Sequence, residues 1–155
     1  MTDPSTQRPS RPRDYALLNA VWISAMVGVL KATAAGRLEA PPATELPVLG
    51  LAAFSASKAV AKEKVGVWVR APVVEPTEDG RKPKGDGLRY TLGELVTCTR
   101  CIGTWSSLGL VGLRVARPRE GRIVASVLAV AAVNDLLQTT FSLQTGKANQ
   151  VQQPS

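Results

Sequence analysis

Residues 15–30 carry no charge, and the small residues Ala16, Ala20, Ser24, Gly28, Ala32 and Gly36 recur at every fourth position. A helix over 15–36 has 22 residues and is about 33 Å long, enough to cross a hydrocarbon core of about 30 Å. Lys31 near its end can reach the interface along its own aliphatic stem. The rest of the surface, Leu17, Val21, Trp22, Ala25 and Val29, is apolar too. A surface helix of a soluble protein shows a charged face at this length, and this one shows none. The uncharged run stops short of 18 residues, so length alone does not decide. The four-residue spacing argues for a membrane, because small residues let helix backbones approach where lipid supplies no hydrophobic push. The alternative is a central helix buried in a soluble bundle.

The remaining charges divide the chain. Residues 1–14 hold Pro4, Pro9, Pro12, Arg8, Arg11 and Arg13 and read as a disordered basic tail, not as a secretory signal peptide. Residues 46–143 form a second unit, with helices expected over 46–61, 102–116 and 122–143 and a long polar loop over 62–97. Pro47 suits the first turn of its helix. Residues 144–155 read as a disordered, Gln-rich tail. The segment 65–74 is rich in β-branched residues, but a lone strand has nothing to pair with, so an extended or interfacial segment is expected. The fold class is therefore all-α, a small helical membrane bundle of three to four helices with one long polar loop and disordered tails. The mean hydropathy of +0.03 averages these unlike parts.

The helix over 46–61 is the weakest span, since Ser55, Lys58 and Lys62 share one side, and it can lie in the interface instead. Lys58, Lys62 and Lys64, together with Arg114, Arg117, Arg119 and Arg122 at the tip near Pro118, are candidate contacts for anionic lipid headgroups. The stretch 58–100 holds 9 Lys and Arg, and 114–122 holds 4. By the positive-inside rule the larger basic region lies on the cytoplasmic side, although a spanning third helix puts the two regions on opposite sides.

The chain has no histidine and two cysteines. Ser-His-Asp and Cys-His catalysis and every His-containing metal site are excluded, as is a disulfide-rich scaffold. Cys98 and Cys101 form a Cys-x-x-Cys pair just before a helix, with Arg100 between them. Three readings stay open: a redox pair whose thiolate is favoured by the helix dipole and Arg100; half of a zinc site completed by a second chain, or less usually by Glu94, since zinc takes four ligands; and two inert packed thiols. Attachment of c-type haem is excluded, because Ile102 stands where a histidine is required. On the last helix Asn134, Asp135, Gln138, Thr139 and Ser142 make a polar stripe. In a membrane Asp135 faces protein or water, as part of an ion path or as a bond to a neighbouring helix.

Several of these residues together resemble a known family. Gly93-Glu94-Leu95, then Thr97-Cys98, Cys101, Gly103 and Trp105, with Leu51-Ala52, Lys58, Arg70-Ala71-Pro72, Lys84-Gly85 and Gly87-Leu88-Arg89 upstream, are similar to the small bacterial membrane proteins catalogued as domain of unknown function 1360, the YjcA-like sporulation proteins. The chain departs from the family in having Thr99-Arg100, with no aromatic residue, between the cysteines. It also has Ser55 and Lys58 where members carry two arginines. The resemblance implies membrane residence and no established activity.

The function expected is that of a small integral protein of the bacterial inner membrane, multi-pass, acting as a structural or interaction component of an assembly. Its partners are the bilayer and either further copies of itself or other membrane proteins. Catalysis is not indicated, and no cofactor is expected unless zinc is shared between subunits. The alternatives are a membrane-bound thiol redox or intersubunit zinc protein, and a peripheral helical protein binding anionic lipid or nucleic acid. Nucleic acid is disfavoured because the basic residues are not gathered on one helix face.

Overall fold

A computed structural model describes residues 11–78 and 80–152. Six α-helices and one two-stranded sheet occur among them: α1 (Pro12–Ala34), α2 (Leu46–Ala61), α3 (Val67–Arg70), β1 (Val74–Thr77), β2 (Gly80–Pro83), α4 (Leu88–Thr97), α5 (Thr99–Ala116) and α6 (Pro118–Gln152).

Helix α1 opens with Pro12 in its first turn and Asp14 close behind, both suited to a helix start. It closes through Gly36 at φ 66°, where the amides of Gly36 and Arg37 donate to Thr33 and Ala32. Only glycine adopts that φ without strain, which explains the stop. Helices α2, α5 and α6 make the core. Leu49, Ala52, Ala53, Leu110 and Ala125 are buried together, with Val111 and Leu128 against them. Most of these residues are small, so the three helices pack closely and bury little aliphatic bulk. At the α5–α6 corner, a Cβ on Gly121 would lie 2.4 Å from Arg114 Cα.

Side-chain contacts set the directions. Glu45 meets Arg114 at one end and Gly103 lies by Ser57 nearer the other, so α5 runs antiparallel to α2. Arg122 borders the same cavity as Glu45, and Asp135 meets Lys58, so α6 runs parallel to α2. Tyr15 reaches Glu94 and Trp22 reaches Thr104, so α1 runs parallel to α5. The four long helices thus alternate in direction, and the insert between α2 and α5 sits at one end.

That insert corrects the expectation of a polar loop over 62–97. Val74 begins a strand that does find a partner: β1 and β2 pair antiparallel, Val74 opposite Pro83 and Thr77 opposite Gly80. Residues 67–70 are helical, not extended. Helix α4 buries Tyr90, Thr91 and Gly93. Gly93 lies so close to the Val73 carbonyl and Pro83 that a Cβ would come within 2.7 Å of both. The glycine is what lets α4 lie flat on the hairpin.

Two further expectations are revised. The face of α1 turned toward its neighbours carries Leu18, Trp22, Met26 and Val29, which are partly covered, while Ala16, Ala20, Ser24 and Gly28 are exposed. The larger side chains fill the gap to α5, and the small ones are left outside. The bounds expected for the tails also shift. Of the tail expected over 1–14, residues 1–10 lie outside the described residues, and α1 already begins at Pro12. Helix α6 runs on through 144–152, where Gln, Lys and Ala favour helix; residues 153–155 lie outside the described ones.

Two helices among the described residues are long and apolar enough to cross a membrane, Pro12–Ala34 and Pro118–Thr145. The chain is mostly helical, but a bundle of three to four membrane helices does not follow from length and composition. Helix α2 has 16 residues and α5 has 18, about 24 and 27 Å.

Candidate functional site

The corner between α4 and α5 gathers the chemistry. Cys98 ends one helix and caps the next: its amide donates to the Glu94 carbonyl at 3.1 Å, and its extended backbone turns the chain into α5. Its Sγ accepts the Cys101 amide at 3.3 Å, and the two sulfurs lie 2.6 Å apart with both thiols free. The Cys98 sulfur therefore takes the place of the usual side-chain oxygen of a helix cap, where the dipole favours negative charge. The thiol of Cys101 and the amides at the start of α5 donate to it, and they hold the Cys98 thiol below its ordinary pKa, with Arg100 helping. Cys101 is pushed the other way, to about 11, by loss of hydration and by the proton it gives to Cys98. Cys101 is exposed, and its sulfur is turned onto Cys98.

Helix α1 closes over this corner. The Tyr15 hydroxyl donates to Glu94 Oε2 at 2.7 Å, and the Trp22 indole donates to the Thr104 carbonyl at 3.3 Å. The Glu94 carboxylate also bears on Cys101 and opposes its ionisation. Gly93 allows close approach to the hairpin, Gly103 lies beside Ser57, and Trp105 is partly buried one turn along α5. Among the described residues no three His, Cys, Asp or Glu are placed to hold a metal ion.

The basic residues have unlike settings. Lys58 pairs with Asp135, and Glu63 lies 3.5 Å from its ammonium. Arg114 is buried, 5% exposed, and holds Glu45 in a two-pronged pair, Nη2 to Oε1 at 3.0 Å. These two are committed inside the protein. Lys62, Lys64, Arg117, Arg119 and Arg122 are exposed. Asp135 accordingly faces protein, whereas Asn134, Gln138, Thr139 and Ser142 are exposed, and Thr139 and Ser142 bond back to their own helix.

Four cations of the insert do structural work that sequence reasoning missed. Arg70 donates to the carbonyls of Val60 and Glu63, and Arg81 to those of Ala61 and Lys62. Both satisfy the unpaired carbonyls at the end of α2, where the dipole favours positive charge. Lys84 and Arg89 reach the carbonyls of Ala71 and Pro72. Tyr15 and Glu45 were missed as well. Their partners lie 79 and 69 positions away, and no local pattern announces such pairs.

Comparison with known proteins agrees with the resemblance. The family model described as "Protein of unknown function (DUF1360)" matches residues 48–141. Sporulation protein YjcA of Bacillus subtilis (strain 168) is 30% identical over 59 residues, 38% of this chain and 50% of the relative, so the chain spans about half the length of that curated protein. No solved structure matches significantly. The family match runs from α2 to α6 and takes in the whole α4–α5 corner, and the chain belongs to the DUF1360 family of proteins of unknown function.

Proposed function

We propose that the protein is a multi-pass component of a bacterial inner membrane, serving a structural or interaction role in an assembly. One observation carries this reading. The 23 residues of α1 include no buried residue, although nothing between Asp14 and Lys31 is charged. Leu17, Val21, Ile23, Val27 and Leu30 are all at least 36% exposed. A hydrocarbon environment gives such a helix the burial that the fold does not. The outer face of α6, with Val127, Val130, Leu137 and Phe141 exposed, has the same need. Large contiguous apolar surfaces of this kind mark membrane or protein contacts.

The orientation proposed puts the insert on the cytoplasmic side, in keeping with the 9 basic residues of 58–100. Lys62 and Lys64 at that end, and Arg117, Arg119 and Arg122 at the other, are free to meet headgroups. The exposed stripe Ala16, Ala20, Ser24 and Gly28 suits a helix from a second copy or another membrane protein.

Alkaline carbonate extraction of membranes tests insertion. The protein is expected in the pellet, and release into the supernatant defeats the reading. An impermeant maleimide applied to intact cells should leave Cys98 and Cys101 unlabelled until the membrane is opened. Labelling of intact cells would reverse the orientation.

A further inference from the structure

We propose that Cys98 and Cys101 are a working dithiol that exchanges electrons with a disulfide, Cys98 attacking and Cys101 resolving. This goes beyond the membrane reading and does not depend on it.

The geometry carries the assignment. The two sulfurs are already in contact at 2.6 Å, and a shift of about 0.5 Å brings them to the bond length of a disulfide. Three backbone steps on the first turn of one helix hold them there, so closing the bond needs no movement of either helix. The roles differ by position. Cys98 sits at the cap, where the Cys101 amide and thiol both point at its sulfur and favour its thiolate. Cys101 stands inside the first turn, where loss of hydration and its bond to Cys98 oppose its ionisation. Two inert packing cysteines have no need of a polarised pair or a capping sulfur.

The exchange balances as follows. The Cys98 thiolate attacks one sulfur of a disulfide RS–SR′, forming the Cys98–SR bond and expelling R′S⁻. Cys101 gives its proton to water and its thiolate attacks Cys98 Sγ. The Cys98–SR bond breaks, and RS⁻ leaves and takes a proton from water. Two electrons have passed from the two thiols to the substrate disulfide, and a Cys98–Cys101 disulfide remains. The reverse sequence oxidises a substrate dithiol.

The full chain, purified in detergent and reduced, is treated with glutathione disulfide or with a disulfide-linked peptide pair, and products are read by mass. The native protein is expected to lose both thiols together and to gain no adduct. Whichever reagent reacts faster identifies a small-molecule or a polypeptide disulfide as the natural class. Cys101→Ser should stop at a one-to-one mixed disulfide on Cys98. Cys98→Ser should react at least roughly tenfold more slowly than Cys101→Ser. The proposal is overturned by equal rates at the two cysteines, by a mixed disulfide that persists in the native protein, or by one zinc ion held per two reduced chains with both thiols blocked. Carbonate extraction of the same variants keeps the questions apart: membrane-bound protein without exchange counts against the dithiol alone.

Discussion

Lys58 of α2 and Asp135 of α6 meet in an ion pair although 77 positions separate them in the chain. Each side chain is about one-third exposed, 32% and 35%, so water screens the attraction and the pair mainly fixes register between two parallel helices. Asp135→Asn should lower the melting temperature by a few degrees, and Lys58→Asp should lower it further, because two like charges then face each other. The swapped pair Lys58→Asp with Asp135→Lys should recover most of the loss. A double-mutant cycle on thermal midpoints in detergent checks this, and additive losses would show that the two residues do not interact.

Arg114 keeps Glu45 ionised to lower pH. The guanidinium bonds its carboxylate and holds it below the ordinary value of 4.5. A carboxyl whose folded pKa is depressed contributes stability above its unfolded pKa and loses it as pH falls through the folded value. The native protein should therefore lose thermal stability as pH falls from about 5 toward 3. Glu45→Gln should be less stable at neutral pH, because Arg114 is left buried without its counter-charge, and should show a flatter acid profile. Parallel slopes in the two proteins would contradict this.

Gly121 and Gly112 look equivalent in the sequence but not in the structure. A Cβ at Gly121 would lie 2.4 Å from Arg114 Cα and 2.7 Å from its amide nitrogen, and nothing lies within 4 Å of one at Gly112. Gly121→Ala should destabilise by about 2–3 kcal/mol through overpacking against backbone. Gly112→Ala should be neutral or stabilise by up to about 1 kcal/mol, since alanine is the better helix former. Equal effects in thermal unfolding would refute the close α5–α6 corner.

Arg70 holds the end of α2 from inside the insert, with only 3% of its surface exposed. Arg70→Ala should destabilise by about 2–3 kcal/mol, because the carbonyls of Val60 and Glu63 lose a charged donor. Arg70→Lys should rescue little, since an ammonium lacks the planar fork that spans two carbonyls. Amide hydrogen exchange should quicken in the last turn of α2 and in the hairpin, and leave the middle of α5 unchanged.

The helices were legible because their evidence is local. An uncharged run announces α1, and Pro47 the start of α2. The hairpin was not legible. Its second strand, Gly-Arg-Lys-Pro, has no alternation of apolar and polar residues, and its stability comes from Val74, α4 and the carbonyls that Arg81 reaches. The small-residue stripe of α1 is plain in the sequence, but its direction depends on how Leu18 and Trp22 fit α5, which no single-helix pattern encodes. At the candidate site the two cysteines were visible in the sequence. Tyr15 was not, because its link to Glu94 exists only once α1 lies alongside α5.

The two interhelical ion pairs also set a length. Glu45 and Lys58 are 13 positions apart, which along α2 is about 20 Å. Charged groups therefore bracket a belt about 10 Å thinner than an ordinary hydrocarbon core of about 30 Å, while α1, at 23 residues, spans about 35 Å. In the membrane proposed above, this difference would be hydrophobic mismatch within one molecule, met by thinner lipid beside α2 and α5 or by tilt of α1, and it would favour thin membrane over thick.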